Sequence, residues 1–145
     1  MRGVFCGLVL VMGLTSGCFD ASNKISSAVF TTKTSGDPVA QAAKDALKTM
    51  GYQVGEKADT KGAAEGSRTI HGERAGMVTA IGPAMVHIQI VVTPSERGTE
   101  IHVDVIPPRG AYGTTAIPLH DYEYALSQLL PDLSVKSRTI PKEWL

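Results

Sequence analysis

The sequence predicts an α+β domain in two layers, with two helices on one face of a small, mainly antiparallel sheet in the order β-α-β-β-β-β-α. Three observations carry that expectation. Val86, Ile88, Ile90 and Val92 alternate with His87, Gln89, Val91 and Thr93, and Ile101, Val103 and Val105 alternate with His102, Asp104 and Ile106. Each run therefore has one apolar face at the strand period of two. Pro94-Ser95-Glu96-Arg97-Gly98 joins the two runs as a hairpin, with glycine at a left-handed position. Val39, Ala42, Ala43, Ala46, Leu47 and Met50 recur at helical spacing and form a face to lay on that sheet.

The remaining elements follow in chain order. Ala28 to Thr34 holds Val, Phe and Thr and favours extended structure. Asp37 is placed to cap the first helix, with Pro38 where no donor is required and Gly51 as its left-handed stop. Its face is mostly alanine and narrow, so the helix should lie close to the sheet. Tyr52-Gln53-Val54 enters a strand with Tyr52 and Val54 on the same side, and Glu56 to Gly66 reads as a polar loop. Ser67 to Arg74 is a further strand. Ala75 to Ala84, punctuated by Gly76, Gly82 and Pro83, fits a strand, a bulge or a covering loop. Pro118 begins a second helix that turns Tyr122, Leu126 and Leu129 toward the core and ends at Pro131. Leu133 to Leu145 has no sustained period and reads as an extended tail or a short helix followed by one.

The chain's start has a different character. Met1 and Arg2 precede Gly3 to Leu14, a run without charge. A run of about 12 residues falls short of the roughly 20 that span a bilayer, so it reads as an export signal. Leu14-Thr15-Ser16-Gly17-Cys18 then resembles a bacterial lipoprotein processing box, with small residues before a cysteine and Thr15 where such boxes usually carry Leu, Val or Ile. The resemblance implies cleavage before Cys18 and a diacylglyceryl thioether on its sulfur. Phe19 follows in place of the Asp that retains such proteins in the inner membrane of enteric-type bacteria, which implies the outer membrane. An ordinary cut beside Cys18, giving a secreted or periplasmic protein, is the rival reading. The expected organisation is thus a signal over 1–17, a polar tether over 18–27, the domain over 28–131 and the tail over 132–145.

Cysteine count and charge agree with that organisation. Loss of Cys6 with the signal leaves Cys18 as the only thiol, so no internal disulfide can form. The mature chain of 128 residues suits one domain. Its 13 Lys and Arg against 14 Asp and Glu, with no basic run, argue against nucleic acid as a partner. The cysteine-ended signal, the Gly51-Tyr52-Gln53-Val54 step from helix to strand, and the Thr99 to Val105 strand before a closing helix together resemble small bacterial lipoproteins of uncharacterised α/β type. That resemblance implies a two-layer domain and brings no catalytic residues.

Reactive constellations are weak. Aligning the apolar faces sets Val92 opposite Ile101, hence His102 opposite Val91 and His87 opposite Ile106. The two histidines are then four residues out of step, about 13 Å at about 3.3 Å per residue. One zinc ion, with nitrogens at about 2.1 Å, cannot join them. His120-Asp121 points two ways on a helix, and no Ser or Cys has a nucleophile's setting. The paired glycines at Gly72/Gly76 and Gly110/Gly113 read as turns. No cofactor or metal is expected. Arg109, Tyr112 and Tyr122 or Tyr124 combine apolar area with hydrogen-bonding tips and are candidates for an interaction surface. The expected role is a non-enzymatic lipoprotein anchored in the membrane that contacts an envelope protein or the cell wall. Alternatives are a small-ligand or lipid-binding domain with Met77 to Met85 lining a cavity, and an enzyme or enzyme inhibitor marked by a polar cleft around His71, His87 or His120.

Overall fold

The computed structural model describes residues 25–57, 64–112 and 114–142. The expected export signal, Cys18 and most of the expected tether lie outside the described residues, as do Gly113, Trp144 and Leu145. The chain forms β1 (Ser26–Thr32), α1 (Asp37–Thr49), β2 (Gln53–Lys57), β3 (Arg68–Thr79), β4 (Gly82–Ser95), β5 (Gly98–Ile106), β6 (Ala111–Tyr112), α2 (Ala116–Leu129) and β7 (Ser134–Thr139). This is a two-layer α+β domain. Its sheet runs β2-β3-β4-β5-β1-β7 with every pair antiparallel, and the two-residue β6 lies beside the end of β3.

The central hairpin has the expected register. Val92 faces Ile101, Gln89 faces Asp104, and Ser95 faces Gly98 across the two-residue turn Glu96-Arg97. Val86, Ile88, Ile90, Val92, Ile101, Val103 and Val105 are all buried. Both helices cover that face: Val39, Ala40, Ala42, Ala43, Ala46 and Leu47 of α1, and Leu119, Tyr122 and Leu126 of α2. Sliding either strand by one residue would exchange this apolar set for His87, Gln89, His102 and Asp104, which fixes the pairing.

The close approach of the alanine-faced helix is visible at Gly72. A Cβ there would lie 3.0 Å from Leu47 Cδ1 and 3.2 Å from the Tyr52 ring. The Gly72 to Gly76 segment is therefore not a turn: it lies inside β3, where glycine admits the helix, and the pairing with β4 shifts between Ala75 and Met77. Beyond that bulge β3 and β4 continue as a hairpin, so Met77 to Met85 form its tip and not the lining of a cavity between helix and sheet.

Three further expectations are corrected. The N-cap of α1 is Gly36, at φ 79, and no side chain caps it; Asp37 accepts from Arg68 Nη2 at 2.5 Å instead. A guanidinium arriving from β3 offers a charge-assisted bond that a free backbone amide does not match. Leu129 is 46% exposed, because α2 buries only the stripe of Leu119, Tyr122 and Leu126. The segment after Pro131 is extended but not free: Ser134–Thr139 pairs with β1, and Ser26 and Ser27 on the tether side belong to β1 as well. The sheet thus continues past both expected domain limits.

Candidate functional site

Three surfaces carry chemistry. The first is the sheet face opposite the helices, built by the residues that alternate with the core. β3 contributes His71 and Glu73, β4 contributes His87 and Gln89, and β5 contributes Asp104 and Ile106. Register places His71 opposite Gln89 and Glu73 opposite His87. His87 Nδ1 lies 3.3 Å from Glu73 Oε1. The pair is half open to water, so its net attraction is small and depends on the histidine carrying a proton. His71 Nε2 is shielded from solvent without a hydrogen-bond partner among the described residues. His71, Glu73, His87, Gln89 and Ile106, with Gly55, Glu56 and Lys57 of β2, outline a shallow hollow of about 420 Å³.

That hollow is polar and holds two of the histidines whose convergence was the mark of a reactive cleft. Among the described residues no Ser, Thr or Cys lines it; besides His87 and Glu73 its charged groups are Glu56 and Lys57 of β2. His102 stays at the expected distance, opposite Val91 while His87 is opposite Ile106. Among the described residues no three His, Cys, Asp or Glu side chains converge on a metal position. Asp104 accepts from Ser27 Oγ at 2.5 Å and so ties β5 to β1. What the arrangement offers is hydrogen bonding on a partly apolar, shallowly concave surface.

A second hollow, of about 510 Å³, lies where the end of α1 meets α2 and β3. Met50, Tyr124, Ala125 and Leu129 give it an apolar lining, with Arg74 and Asp121 as its charges. Arg74 is fixed there twice over. Its Nη1 donates to the Met50 carbonyl oxygen at 2.5 Å, and its guanidinium stacks 4.8 Å from the centre of the Tyr52 ring. Burial raises the Tyr52 phenol above its ordinary pKa, Arg74 opposes that rise and Asp121 adds to it.

The third surface is the free end of the β3–β4 hairpin. Val78, Ile81 and Met85 are exposed there, Ile81 completely. β6 joins it, with Tyr112 opposite Val78 and Ala111 opposite Thr79, and the exposed Arg109 precedes β6 in the loop that Gly110 turns at φ 72.

The four candidate interaction residues do not form one surface. Arg109 precedes β6, whose Tyr112 pairs through its backbone with Val78 near the hairpin tip. Tyr124, 66% exposed, lines the hollow between the helices. Tyr122 is withdrawn from any partner: it is fully buried, its hydroxyl donates to the Ala43 carbonyl oxygen at 3.2 Å, and desolvation drives its pKa far upward. His120 is exposed on α2 and is separate from His71 and His87. Sequence reasoning named His71 and His87 among the marks of a polar cleft, and the register brings those two onto one face without His120. It did not find the Arg74–Tyr52 stack, which depends on neighbours far apart in the chain. The uncharged run Ala75 to Val86 was the available signal for the tip.

No family model matches this chain, and neither a curated protein nor a solved structure does so.

Proposed function

We propose that the chain is a non-enzymatic envelope lipoprotein, anchored through Cys18, whose open sheet face docks an envelope protein or the cell wall. The observation that carries the interaction is the contrast between the two faces of one sheet. One face is closed by α1 and α2. Among the described residues no helix covers the other, which presents His71, Glu73, His87, Gln89, Val91 and Ile106 side by side. An open sheet face with hydrogen-bonding groups and interspersed apolar area has the composition of an interface that forms and dissolves. The anchor is supported by the Leu14-Thr15-Ser16-Gly17-Cys18 segment and by the loss of every other thiol with the signal.

Two measurements test this reading. Palmitate labelling in cells should mark the protein, and Cys18→Ser should remove both the label and membrane retention; a labelled, retained Cys18→Ser protein refutes the anchor. A photocrosslinking residue at Gln89 should capture an envelope component that the same residue at Gln41, exposed on α1, does not. Equal capture at both positions, or none at Gln89, refutes the sheet face.

A second reading, binding of a small amphipathic ligand, is favoured by the apolar hollow with Arg74 at its wall. Under that reading a ligand would protect Tyr124 from iodination, whereas docking on the sheet would leave Tyr124 as reactive as in the free protein.

A further inference from the structure

The tip of the β3–β4 hairpin and the start of β1 lie at the same end of the sheet. Ser26 is opposite Val105 and Val105 is opposite Ile88, so the three are level across β1, β5 and β4. Gly82, where β4 begins, is six residues beyond that level, about 20 Å at about 3.3 Å per residue. The lateral offset from β1 to β4 is two strand spacings, about 9.5 Å, giving a separation of about 22 Å. The eight residue steps from Cys18 to Ser26 reach at most about 26–29 Å. A Cys18 fixed at a lipid surface therefore leaves enough chain for the tip to touch the same surface.

The chemistry of the two sheet ends differs in the β3–β4 hairpin and the β5–α2 connection, and among the described residues the end of β7 adds only the cations Arg138 and Lys142 to the tip's end. Ala75 to Val86 carries no charge, and Val105 to Leu119 carries only Arg109. At the opposite end, the turns and loops hold Lys33, Glu65, Glu96, Arg97 and Asp132, and β3 begins with Arg68. The tip is also a formed structure. Thr79 Oγ1 donates to the Gly82 carbonyl oxygen at 2.9 Å, which closes the turn and leaves Ile81 wholly outside. Exposed apolar side chains gathered at one projecting turn, with a cation beside them, suit the boundary between acyl chains and anionic headgroups.

We infer that the β3–β4 hairpin is a second membrane contact, with Val78, Ile81 and Met85 seated in the bilayer interface and Arg109 among anionic phospholipid headgroups. The inference rests on the lipid-anchor reading. It makes the protein stand on the membrane with its strands upright, its charged turns outward and its sheet face directed sideways to a partner.

The test couples the mature chain through Cys18 to a maleimide phospholipid in vesicles of phosphatidylethanolamine and phosphatidylglycerol. Its outcome is therefore separate from whether cells acylate Cys18, which palmitate labelling decides. In a Trp144→Phe background, Ile81→Trp and Glu96→Trp report the two ends. At position 81 the emission should shift to the blue, brominated lipids should quench it, and aqueous iodide should not. The probe at 96 should behave in the reverse way. Equal iodide quenching at both positions overturns the inference. Protection at 81 without bromolipid quenching overturns it too, since the tip would then be covered by another protein or a second copy. Amide exchange in the unsubstituted chain supplies an independent measure: Ala80 and Ile81 should slow on tethering to vesicles, and an unchanged rate overturns the contact.

Discussion

Gly98 enters β5 at φ 138, and a Cβ there would sit 2.0 Å from the Thr32 carbonyl oxygen. The strand must therefore pass β1 with no side chain at this point. Gly98→Ala combines a strained backbone, costing about 1–3 kcal/mol, with a collision against main-chain atoms that cannot rotate away. Urea unfolding should show a loss of at least about 2 kcal/mol. At Tyr122 the ring and hydroxyl separate: Tyr122→Phe should cost about 0.5–1.5 kcal/mol for the bond to Ala43, and Tyr122→Ala about 3–5 kcal/mol for the emptied core, measured in the same way. Asp132 provides a pH signature. It accepts from Thr32 Oγ1 and from the Lys33 amide, both at 2.7 Å, and these bonds, with Thr32's the larger influence, hold its carboxyl below the ordinary value of 3.8. A depressed folded pKa gives stability that is complete above 3.8 and is lost as pH falls through the folded value. Thr32→Val should therefore narrow the stability difference between neutral and acid pH, and an unchanged acid limb in a pH series of thermal melts would refute that role.

At the scale of elements, the contact between α1 and β3 depends on complementary sizes. Leu47 lies where Gly72 has no Cβ, and Tyr52 closes the same space. Gly72→Ala should cost about 1–3 kcal/mol through overpacking, and Leu47→Ala about 2–5 kcal/mol through the cavity it leaves. Combined, the two should cost less than their sum, because the new methyl enters the space that leucine vacates. A double-mutant cycle that is additive would show that the helix does not press on Gly72. The helix itself was legible from its spacing and from Pro38 and Gly51. Its N-cap was not, since Asp37 answers to Arg68, a residue 31 positions away. The same limit applies to β7. Ser134–Thr139 is exposed along its whole length, so no apolar alternation announces it, and only its backbone pairing with β1 makes it a strand.

For the molecule as a whole, closure depends on β1, which lies between β5 and β7 and so joins the first described residues to the last strands. Pairings such as Ser27 with Asp104 and Ser27 with Thr139 must close long loops before the sheet is complete. Refolding followed by stopped flow should fall in the range of about milliseconds to seconds, and a relaxation of microseconds would contradict this order of assembly. Exposure predicts the converse for the hairpin tip: Ile81→Asp should change urea stability by no more than about 0.5 kcal/mol while removing a contact with the bilayer. By itself the sequence determined the two-layer α+β class, the register of the central hairpin and the two helices, because periods of two and 3.6 are local properties that burial on one face enforces. It also supplied the uncharged run Ala75 to Val86 and the Leu14 to Cys18 segment on which the anchor proposal rests. Only the tertiary structure decided between the core and interface readings of Tyr122, set His71 and His87 on one sheet face, and put the hairpin tip at the same end of the sheet as the start of β1. Those facts follow from which distant strands pair, a consequence of how the whole chain closes its backbone hydrogen bonds and buries its apolar faces together.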